Sequence, residues 1–385
     1  MIIGIDIRNI GKERTGDEAV FLNLTKKLSQ IDNENEYWLF TDITDEIIIE
    51  KIKKTLGIEN KNNFKIVSLK SKNRFSWNFW NLGKYVRSNP LDVYLTQYIT
   101  PLFVPKKIKI VTIIHDISFN FFPAFIKWSD LLFLKIFLPL SIKRADKIIA
   151  VSKFTRDEIL AYYKISPEKI TWMHNAVSDK FSNQNRTEEK IKQIREKYNL
   201  PEKFILYLGT LQPRKNLVIL IEAFALVKSE TKLEPKLNSI KLVLASKKGH
   251  NYDKRIDAAI KKNDLEDEVI FPGYIKEEDK PALMAAAEIF CFPSLYEGFG
   301  IPILEAMSSS VPVVASDIVP HHEIALDAAM FFNPEIAGEL AQKLMNLLRS
   351  EVSRNDLVKK GQENIKKFSW QKTADKLLRV FKGLK

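Results

Sequence analysis

The sequence predicts an α/β protein with parallel sheets, and three observations support this fold class. Short apolar runs rich in β-branched residues alternate with segments of helical spacing along most of the 385-residue chain. Several of these runs end in polar loops that contain glycine, which is typical of strand–loop–helix units. The chain is also longer than one ordinary hydrophobic core, so two domains are expected.

In the first half, a helix is expected over 19–28, with Asp17 as its N-cap. His115 directly follows a strand, which places it at the carboxyl edge of a parallel sheet, where ligands bind. The expected strands of this half are 2–7, 37–40, 64–67, 93–95, 109–114, 147–151 and 170–173.

The run 119–142 is dense in Phe, Leu and Trp. Three charged residues interrupt it, and Pro123 and Pro139 are expected to break it. A charge at the bilayer centre costs about 3 kcal/mol, so a membrane span is not expected. We predict a helix partly buried in the first domain, with an amphipathic segment resting on a membrane as the alternative.

In the second half, 178–195 is polar and is expected to be an interdomain linker that runs into the second domain. A helix is expected over 217–227, capped by Asn216, and helical spacing returns over 335–367 and from 368 to 385. The expected strands are 204–208, 240–245, 269–271, the run ending at 292, and 311–315.

The chain has a net charge of +12, which is concentrated in one region. Residues 51–153 contain 19 Lys and Arg against 5 Asp and Glu. This excess suits an anionic membrane surface or an anionic acceptor, and it also serves solubility. No recognisable nucleic-acid module accompanies the charge, so we expect no nucleic-acid partner.

Two features favour a cytoplasmic protein. Cys291 is the single cysteine and lies within an apolar strand, where a buried, unreactive thiol is expected. The N-terminus shows no basic segment followed by a hydrophobic stretch, so no secretory signal is expected. Together with the basic region, these features predict a cytoplasmic location, with peripheral attachment to the inner face of the membrane as an extension.

The segment FCFPSLYEGFGIPILEAMSSSVPVVAS (290–316) has the pattern of strand, glycine-containing loop, helix and strand. Gly298 and Gly300 give a turn without side chains, and Pro302 suits the first turn of a helix. Backbone N–H groups at such a helix start suit an anion. Glu297 in the loop and Glu305 in the first helical turn are expected to face one cleft, where carboxylates suit sugar or ribose hydroxyls.

A second strand–loop–helix unit begins at residue 204 and contains the loop GTLQPRKN. Arg214 and Lys215 lie at the end of this loop. The planar guanidinium and the point charge of the ammonium group both suit phosphate oxygens. The first of these two loops therefore suits sugar or ribose hydroxyls, and the second suits phosphate groups.

The string EGFGIPILEAM resembles the E-x7-E segment of retaining glycosyltransferases of the GT-B fold, in family 4. YLGTLQPRKNLVILIEAF is similar to the segment that grips the donor diphosphate in that family, HDISF to its HD segment and VIFPGY to the segment lining the nucleotide base. The resemblance covers nearly the whole chain and is strongest in the second half.

The resemblance implies a role for each matching residue. Arg214 and Lys215 would neutralise the leaving diphosphate, Glu305 would bind the ribose, and Glu297 and His115 would contact the transferred sugar. The residues implied as catalytic are His115, Glu297, Arg214 and Lys215. The residues implied in donor binding are Gly16, Gly209, Arg214, Lys215, Tyr274, Glu297, Gly298, Phe299, Gly300, Ile301 and Glu305.

The sequence departs from the family pattern at four places. Neither Ala245 nor Ser246 is the Gly that is common at this position, so no role is implied for the loop that follows. Thr15-Gly16-Asp17-Glu18 stands where Gly-x-Gly-Arg-Tyr is common, so a side-chain contact from this loop is not implied. In the turn 174–177, His174 and Ala176 replace Pro and Gly. His321-His322 replaces the more frequent Leu-Pro, and both imidazoles are expected at the surface rather than at a metal.

The resemblance implies two Rossmann-like domains with parallel sheets facing a central cleft. The first would span 1–180, with the helix 368–385 packing back on it, and the donor domain would span 181–367. The implied reaction moves a hexose, with mannose from GDP-mannose as the first choice, to a glycan or lipid-linked acceptor in cell-surface polysaccharide assembly. It would retain anomeric configuration and need no metal or cofactor.

Other donors and other classes remain open. UDP-glucose, UDP-N-acetylglucosamine and dTDP-deoxysugars are alternative donors. A GT-B sugar-nucleotide epimerase and a non-catalytic nucleotide-sugar-binding protein are the alternative classes. The epimerase would need additional acid and base carboxylates, and the altered loops at 15–18 and 174–177 are the features that would favour the binding protein.

Overall fold

The computed structural model describes residues 1–12, 16–71, 73–101, 103–181, 186–249 and 251–384, so Thr15 of the first loop lies outside the described residues. The chain divides into two compact units. The first comprises the described residues of Met1–Phe121, Trp128–Asn175 and Ser369–Lys385, and the second those of Phe122–Lys127 and Ala176–Phe368. The division after residue 175 falls five residues before the expected boundary.

The first unit is built on a parallel sheet of seven strands in the order β3-β2-β1-β4-β5-β6-β7. The side chains of the central strands β1, β4 and β5 are almost entirely buried, which explains their nearly continuous apolar sequences. The strands are β1 (Ile2–Asp6), β2 (Glu36–Thr41), β3 (Phe64–Ser68), β4 (Val93–Gln97), β5 (Lys109–Ile114), β6 (Lys147–Ala150) and β7 (Ile170–Trp172).

Helices connect these strands, and the last helix of the chain joins the same unit. The helices are α1 (Asp17–Ile31), α2 (Glu46–Leu56), α3 (Arg74–Ser76), α4 (Leu82–Ser88), α5 (Trp128–Arg144), α6 (Lys153–Tyr163) and, at the end of the chain, α16 (Trp370–Lys382), with a π-helical turn at Trp77–Asn81 between α3 and α4. Helix α16 packs against α1, and the Thr373 hydroxyl donates to the His174 carbonyl (2.6 Å).

The second unit repeats the arrangement with a six-stranded parallel sheet in the order β10-β9-β8-β11-β12-β13. Both sheets therefore have the doubly wound order in which the chain reverses direction beside the first strand of the unit. The strands are β8 (Phe204–Leu208), β9 (Lys241–Ala245), β10 (Val269–Ile270), β11 (Ile289–Phe292), β12 (Val313–Ser316) and β13 (Met330–Phe332).

The helices of the second unit flank this sheet, and α8 and α14 lie in contact with each other. They are α7 (Glu188–Lys197), α8 (Leu217–Glu230), α9 (Pro235–Asn238), α10 (Arg255–Lys262), α11 (Lys280–Ala285), α12 (Ile301–Ser308), α13 (Val319–Ala325), α14 (Ala337–Arg349) and α15 (Glu351–Asn364). Cys291 is fully buried in β11, and burial raises the pKa of its thiol.

Several local predictions were wrong. Gly16, not Asp17, is the N-cap of α1, because the chain turns into the helix one residue earlier. Pro139 lies inside α5 rather than breaking the helix. The expected linker contains the start of α7, where the Thr187 hydroxyl accepts from the Lys190 amide. Asn216 occupies the N-cap of α8 without a side-chain cap, because its amide donates instead to the Pro334 carbonyl (2.8 Å).

The segment 122–127, expected to be part of the first domain, belongs to the second unit. The Asn251 side chain donates to the Phe125 carbonyl (2.5 Å), and the Phe122 ring packs edge-on against Tyr296 at 5.9 Å. These two contacts explain why the segment clusters with the second half of the chain. Among the helices that the structure describes, none combines the length and the apolarity needed to cross a bilayer.

Candidate active site

Two loops of the second unit meet where its sheet reverses direction. One loop follows β8 and contains Arg214 and Lys215, and the other follows β11 and contains Glu297. Because β8 and β11 are hydrogen-bonded neighbours, their carboxyl ends lie side by side. The Leu295 amide donates to the Arg214 carbonyl (2.9 Å), which ties the loops together. Crevices at this position of a doubly wound sheet bind ligands.

A three-residue ion cluster joins these loops. The Lys215 Nζ lies 2.5 Å from Glu297 Oε1, and the Arg214 Nη1 lies 3.2 Å from Glu297 Oε2. The Arg214 guanidinium also donates to the Tyr296 carbonyl. The side chains of Arg214, Lys215 and Glu297 are 17, 12 and 11% exposed, so the charges are largely shielded from solvent but not sealed off.

The cations determine the ionisation of Glu297. Burial alone would raise the pKa of this carboxyl, but the Lys215 and Arg214 charges beside it lower the pKa to about 2. Glu297 is therefore ionised at neutral pH, and the cluster carries one net positive charge. Such a site can bind a polyanion such as a diphosphate while presenting a carboxylate to a neighbouring hydroxyl.

The glycine loop after Glu297 leads into α12, as the pattern predicts. Gly300 is the N-cap of α12, and its φ of 116° is disfavoured for residues with a Cβ. Pro302 follows in the first turn of the helix. Because the first N–H groups of a helix have no partner within it, the start of α12 is suited to an anion.

Glu305 lies in the second turn of α12, not the first as predicted, because the helix begins at Ile301. This side chain is separate from the ion cluster and faces Lys280, which forms an ion pair with Glu277. Burial raises the pKa of Glu305 to about 7, and the Lys280 charge opposes that rise only in part. The Glu305 carboxyl is therefore close to half-protonated at neutral pH.

Four other predicted donor residues lie in the same unit. Gly209 follows β8, where a Cβ would stand 2.8 Å from the buried Tyr207 hydroxyl, so the position requires glycine. Phe299 is buried with its ring 6.0 Å from that of Phe368, and Ile301 opens α12. Tyr274 is 37% exposed and follows Gly273, whose φ is 83°.

His321 is fully buried, which contradicts the expected surface position, whereas His322 is exposed. The Nδ1 of His321 lies 2.9 Å from the Ser316 carbonyl oxygen, and the His321 ring lies 5.3 Å from the Phe292 ring. Burial lowers the pKa of His321 to about 4, so the imidazole is neutral at physiological pH. The Nε2 of His321 has no hydrogen-bond partner among the described residues.

The remaining predicted residues, His115 and Gly16, belong to the first unit. His115 follows β5, and its Nε2 lies 3.0 Å from Gln97 Oε1 and 3.9 Å from Asp17 Oδ1. Gly16 is the N-cap of α1. The Glu18 carboxylate, in the first turn of α1, accepts a hydrogen bond from the Gly11 amide (2.8 Å). The carboxyl ends of β1, β4 and β5 thus bring polar groups together at the reversal point of the first sheet.

Four partners of the predicted site residues were not predicted from the sequence: Gln97, Asp17, Lys280 and Glu277. The contact between Gln97 and His115 could have been predicted from the pairing of β4 with β5. Strand β4 extends to Gln97, which pairs with Ile113, two residues before His115. The approach of Lys280 to Glu305 comes from the packing of α11 on α12 and leaves no local signal. Among the described residues, no group of three or more His, Cys, Asp or Glu has a metal-binding arrangement.

Comparison with known proteins identifies related families for both halves of the chain. A model described as glycosyl transferases group 1 matches residues 189–364, which include the ion cluster and α12. A second model, described as glycosyltransferase family 4, matches residues 16–181 and includes His115.

Two curated relatives of the chain are named as mannosyltransferases. The chain is 30% identical over 284 residues to the O-antigen chain mannosyltransferase B of Escherichia coli, covering 73% of this chain and 72% of that protein. It is 31% identical over 243 residues to the serotype-specific mannosyltransferase WbdA of Escherichia coli, covering 63% of this chain and only 29% of that protein.

A solved structure shares the fold over the whole chain. The sucrose-phosphate synthase from Thermosynechococcus elongatus has a TM-score of 0.75 at 18% identity, covering 100% of this chain and 99% of that chain. The two parallel, doubly wound sheets predicted from the sequence are thereby confirmed as a known architecture.

Proposed function

Because the chain belongs to family 4 of the glycosyltransferases and has the GT-B fold, we propose that it transfers mannose from GDP-mannose to a glycan or lipid-linked acceptor. The proposed reaction retains anomeric configuration, needs no metal ion and serves cell-surface polysaccharide assembly. The names of the curated relatives support mannose and an O-antigen-like product. The observation that carries the proposal is the Arg214–Glu297–Lys215 cluster at the reversal point of the second sheet.

The cluster suits the leaving group of such a reaction. As the bond between sugar and diphosphate breaks, negative charge develops on the departing phosphate oxygen. Two cations held with low exposure stabilise that charge without reorganising, and such preorganised electrostatics are a large part of many catalytic effects. Arg214 and Lys215 therefore take the role that a divalent metal has in other phosphate-transfer sites.

Glu297 fixes these cations and also touches the sugar in this proposal. Its pKa of about 2 keeps it a hydrogen-bond acceptor at every physiological pH. A carboxylate that accepts from a mannose hydroxyl fixes the orientation of the sugar, which favours the reactive geometry. It also stabilises the positive charge that develops on the ring.

In the proposed reaction the acceptor hydroxyl attacks from the side on which the diphosphate leaves, so the configuration at the anomeric carbon is retained. The acceptor oxygen bonds to the anomeric carbon, the carbon–oxygen bond to the diphosphate breaks, and its electrons leave with GDP. The acceptor proton passes to an oxygen of the departing diphosphate. In this scheme no protein side chain forms a covalent intermediate.

Glu305 and His115 have separate roles in the proposed reaction. Glu305 accepts hydrogen bonds from the ribose hydroxyls when it is ionised, and His115 donates or accepts at a sugar hydroxyl. The contact between His115 and Gln97 (3.0 Å) supports this role because it orients the ring. We place the reaction in the cytoplasm, at the inner face of the membrane.

A donor panel tests the proposal. Nucleotide release is measured from GDP-mannose, UDP-glucose, UDP-N-acetylglucosamine and dTDP-rhamnose, each with a chelator present. We expect slow GDP release from GDP-mannose alone, unchanged by the chelator, and an α-linked product by nuclear magnetic resonance when an acceptor is added.

Each alternative result contradicts a specific part of the proposal. Cleavage of another donor would overturn the choice of GDP-mannose, and loss of activity with the chelator would overturn metal independence. A β-linked product would overturn retention. If no donor is cleaved but calorimetry detects binding of one, either transfer depends strictly on an acceptor or the chain is a nucleotide-sugar-binding protein. Repeating the panel with acceptor glycans separates these two outcomes, since only the binding protein stays inactive with every acceptor.

A further inference from the structure

Helix α5 presents an unusual face to solvent. Trp128, Leu132, Ile136 and Leu140 recur at every fourth position and are 73, 52, 48 and 44% exposed. At this spacing they lie along one side of the helix. All exposed residues of the helix are apolar or lysine, and none is acidic: Trp128, Leu132, Lys135, Ile136, Pro139, Leu140 and Lys143.

The remaining sides of α5 pack into the first unit, so the helix is anchored there. Phe133, Leu138 and Ile142 are buried. The exposure of these side chains is therefore not explained by poor packing of the helix. They form the outer face of a helix whose inner face is already used by the core, and this outer face is called the α5 face below.

Aromatic residues from two other segments extend the α5 face. The Phe75 ring packs edge-on against Phe133 (5.1 Å), and the Phe79 ring lies 5.6 Å from Phe137 and 6.1 Å from Phe103. These contacts join the π-helical turn and the loop before β5 to the helix. The exposed members of this extension are Phe75, Trp80 and Phe103, at 42, 64 and 51%.

The concentration of aromatic side chains distinguishes this surface from the rest of the molecule. Seven Phe, Tyr or Trp residues are exposed among those that the structure describes. Four of them, Phe75, Trp80, Phe103 and Trp128, belong to the α5 face and its extension, and among the seven only Tyr274 lies in the second unit. Scattered exposed apolar residues are normal, but a contiguous group marks an interaction surface.

The charges around the α5 face indicate the nature of the partner. Lys135 and Lys143 lie on the face itself, and Lys84 follows Trp80 by four residues. Exposed Lys106 and Lys107 follow Phe103 within four residues. Aromatic and aliphatic side chains flanked by lysine, without exposed acids on the helix, match the boundary between acyl chains and anionic headgroups.

We propose that the α5 face docks on the surface of a bilayer that contains anionic lipid. Helix α5 lies along the membrane plane, with Trp128, Leu132, Ile136 and Leu140 inserted at the level of the headgroups. Lys135 and Lys143 contact the lipid phosphates. Only the purpose of the docking rests on the proposed function: a docked enzyme would lie beside a lipid-linked acceptor.

Vesicle flotation tests the docking directly and needs no nucleotide sugar. The full chain is mixed with phosphatidylcholine vesicles with and without phosphatidylglycerol, at low and high salt. We expect flotation only with phosphatidylglycerol, weakened by salt. The double variant Leu132→Glu, Ile136→Glu should lose about tenfold or more of the bound fraction, because it places two anions at the lipid surface.

The matched control is Ile47→Glu, at an 82% exposed position on α2 of the same unit. It should float as the wild type does, with an unchanged unfolding midpoint for both variants. Wild-type chain that stays with the soluble fraction at low salt overturns the proposal, as does full binding by the double variant. A wild-type dimer that the double variant dissociates, seen by light scattering, would assign the α5 face to a second copy instead.

Failure of docking and failure of the proposed function give different results. GDP release from GDP-mannose in vesicle-free solution measures the reaction alone. Donor cleavage without flotation overturns only the docking surface, whereas flotation without cleavage of any donor, either alone or with acceptor glycans, overturns only the proposed reaction.

Discussion

The Nζ of Lys215 lies 2.5 Å from Oε1 of Glu297, although the two residues are 82 positions apart in the chain. They follow β8 and β11, which are hydrogen-bonded neighbours in the sheet. The pairing of β8 with β11 creates the relationship, and Arg214 completes it from the same loop as Lys215. The site is thus a product of sheet order, and its consequences can be tested one residue at a time.

Replacing Glu297 by Ala should destabilise the folded protein, and binding of GDP should restore part of the lost stability. Removing one partner of a buried ion pair costs about 3–5 kcal/mol, and somewhat less here because the cluster is partly exposed. The diphosphate of GDP can then neutralise Arg214 and Lys215. We expect a lower unfolding midpoint by calorimetry and a larger upward shift with GDP than the wild type shows. An equal or smaller shift of the unfolding midpoint with GDP would show that the diphosphate does not bind to Arg214 and Lys215.

Donor binding should depend on pH through Glu305. The pKa of Glu305 is about 7, and only the ionised carboxylate accepts hydrogen bonds from both ribose hydroxyls. Between pH 6 and pH 8 the ionised fraction rises, so affinity for GDP-mannose should rise about tenfold. The donor has no phosphate group that titrates in this range.

Calorimetric titration of wild type and Glu305→Gln with GDP-mannose at several pH values measures this effect. The Gln variant should bind more weakly at pH 8 and lose the pH dependence. A Gln variant with the wild-type pH profile would show that another group is responsible.

Much of the site could be predicted from the sequence because its parts are local. Arg214, Lys215 and Glu297 stand at the carboxyl ends of apolar strands and before helices, and that pattern alone predicts where their loops lie. Their mutual contact required the additional knowledge that β8 and β11 are adjacent. The two-sheet architecture was likewise predictable from the repetition of strand and helix.

Other features depend on tertiary packing and left no local signal. His321 stands in the polar string SDIVPHHEI, which is typical of an exposed helix start, yet its ring is buried beside Phe292. Lys280 approaches Glu305 from a helix 25 positions earlier in the chain. Such contacts arise from the way helices pack, which the periodicity of each segment does not specify.

Burial of His321 should make the protein less stable in mild acid. Its pKa is about 4 in the folded chain, below the value of about 6.5 for an unfolded imidazole. The unfolded state therefore binds the proton first as pH falls below about 6.5, and stability is lost down to the folded pKa. The expected loss from this group is about 2 kcal/mol between pH 7.5 and pH 5.

Denaturant unfolding of His321→Leu at both pH values measures that loss. Leu is apolar and cannot titrate, so the dependence of unfolding free energy on pH should become shallower. His322→Leu, at the exposed neighbouring position, is the control. If the His321 variant keeps the wild-type slope, burial of this imidazole does not govern the acid sensitivity.

Gly300 should tolerate substitution poorly because of its backbone. With φ at 116°, an added Cβ costs about 1–2 kcal/mol or more, and Ala would also shift the amides that lead into α12. We expect Gly300→Ala to lower both the unfolding midpoint and the affinity for GDP. Gly338→Ala in α14, where a Cβ meets open space, should not destabilise the chain. Equal effects of the two substitutions would refute a special role for the Gly300 turn.

The most direct test of the central claim, that Arg214 and Lys215 stabilise the leaving diphosphate, is the rate of GDP release from GDP-mannose. Arg214→Ala and Lys215→Ala are compared with Arg349→Ala, which removes an exposed cation from α14 of the same unit. If the cations act on the transition state, kcat falls about 10²-fold or more in both site variants, and the control keeps the wild-type rate. Wild-type kcat in the site variants, with only KM raised, would mean that the cluster binds the donor but does not assist its cleavage.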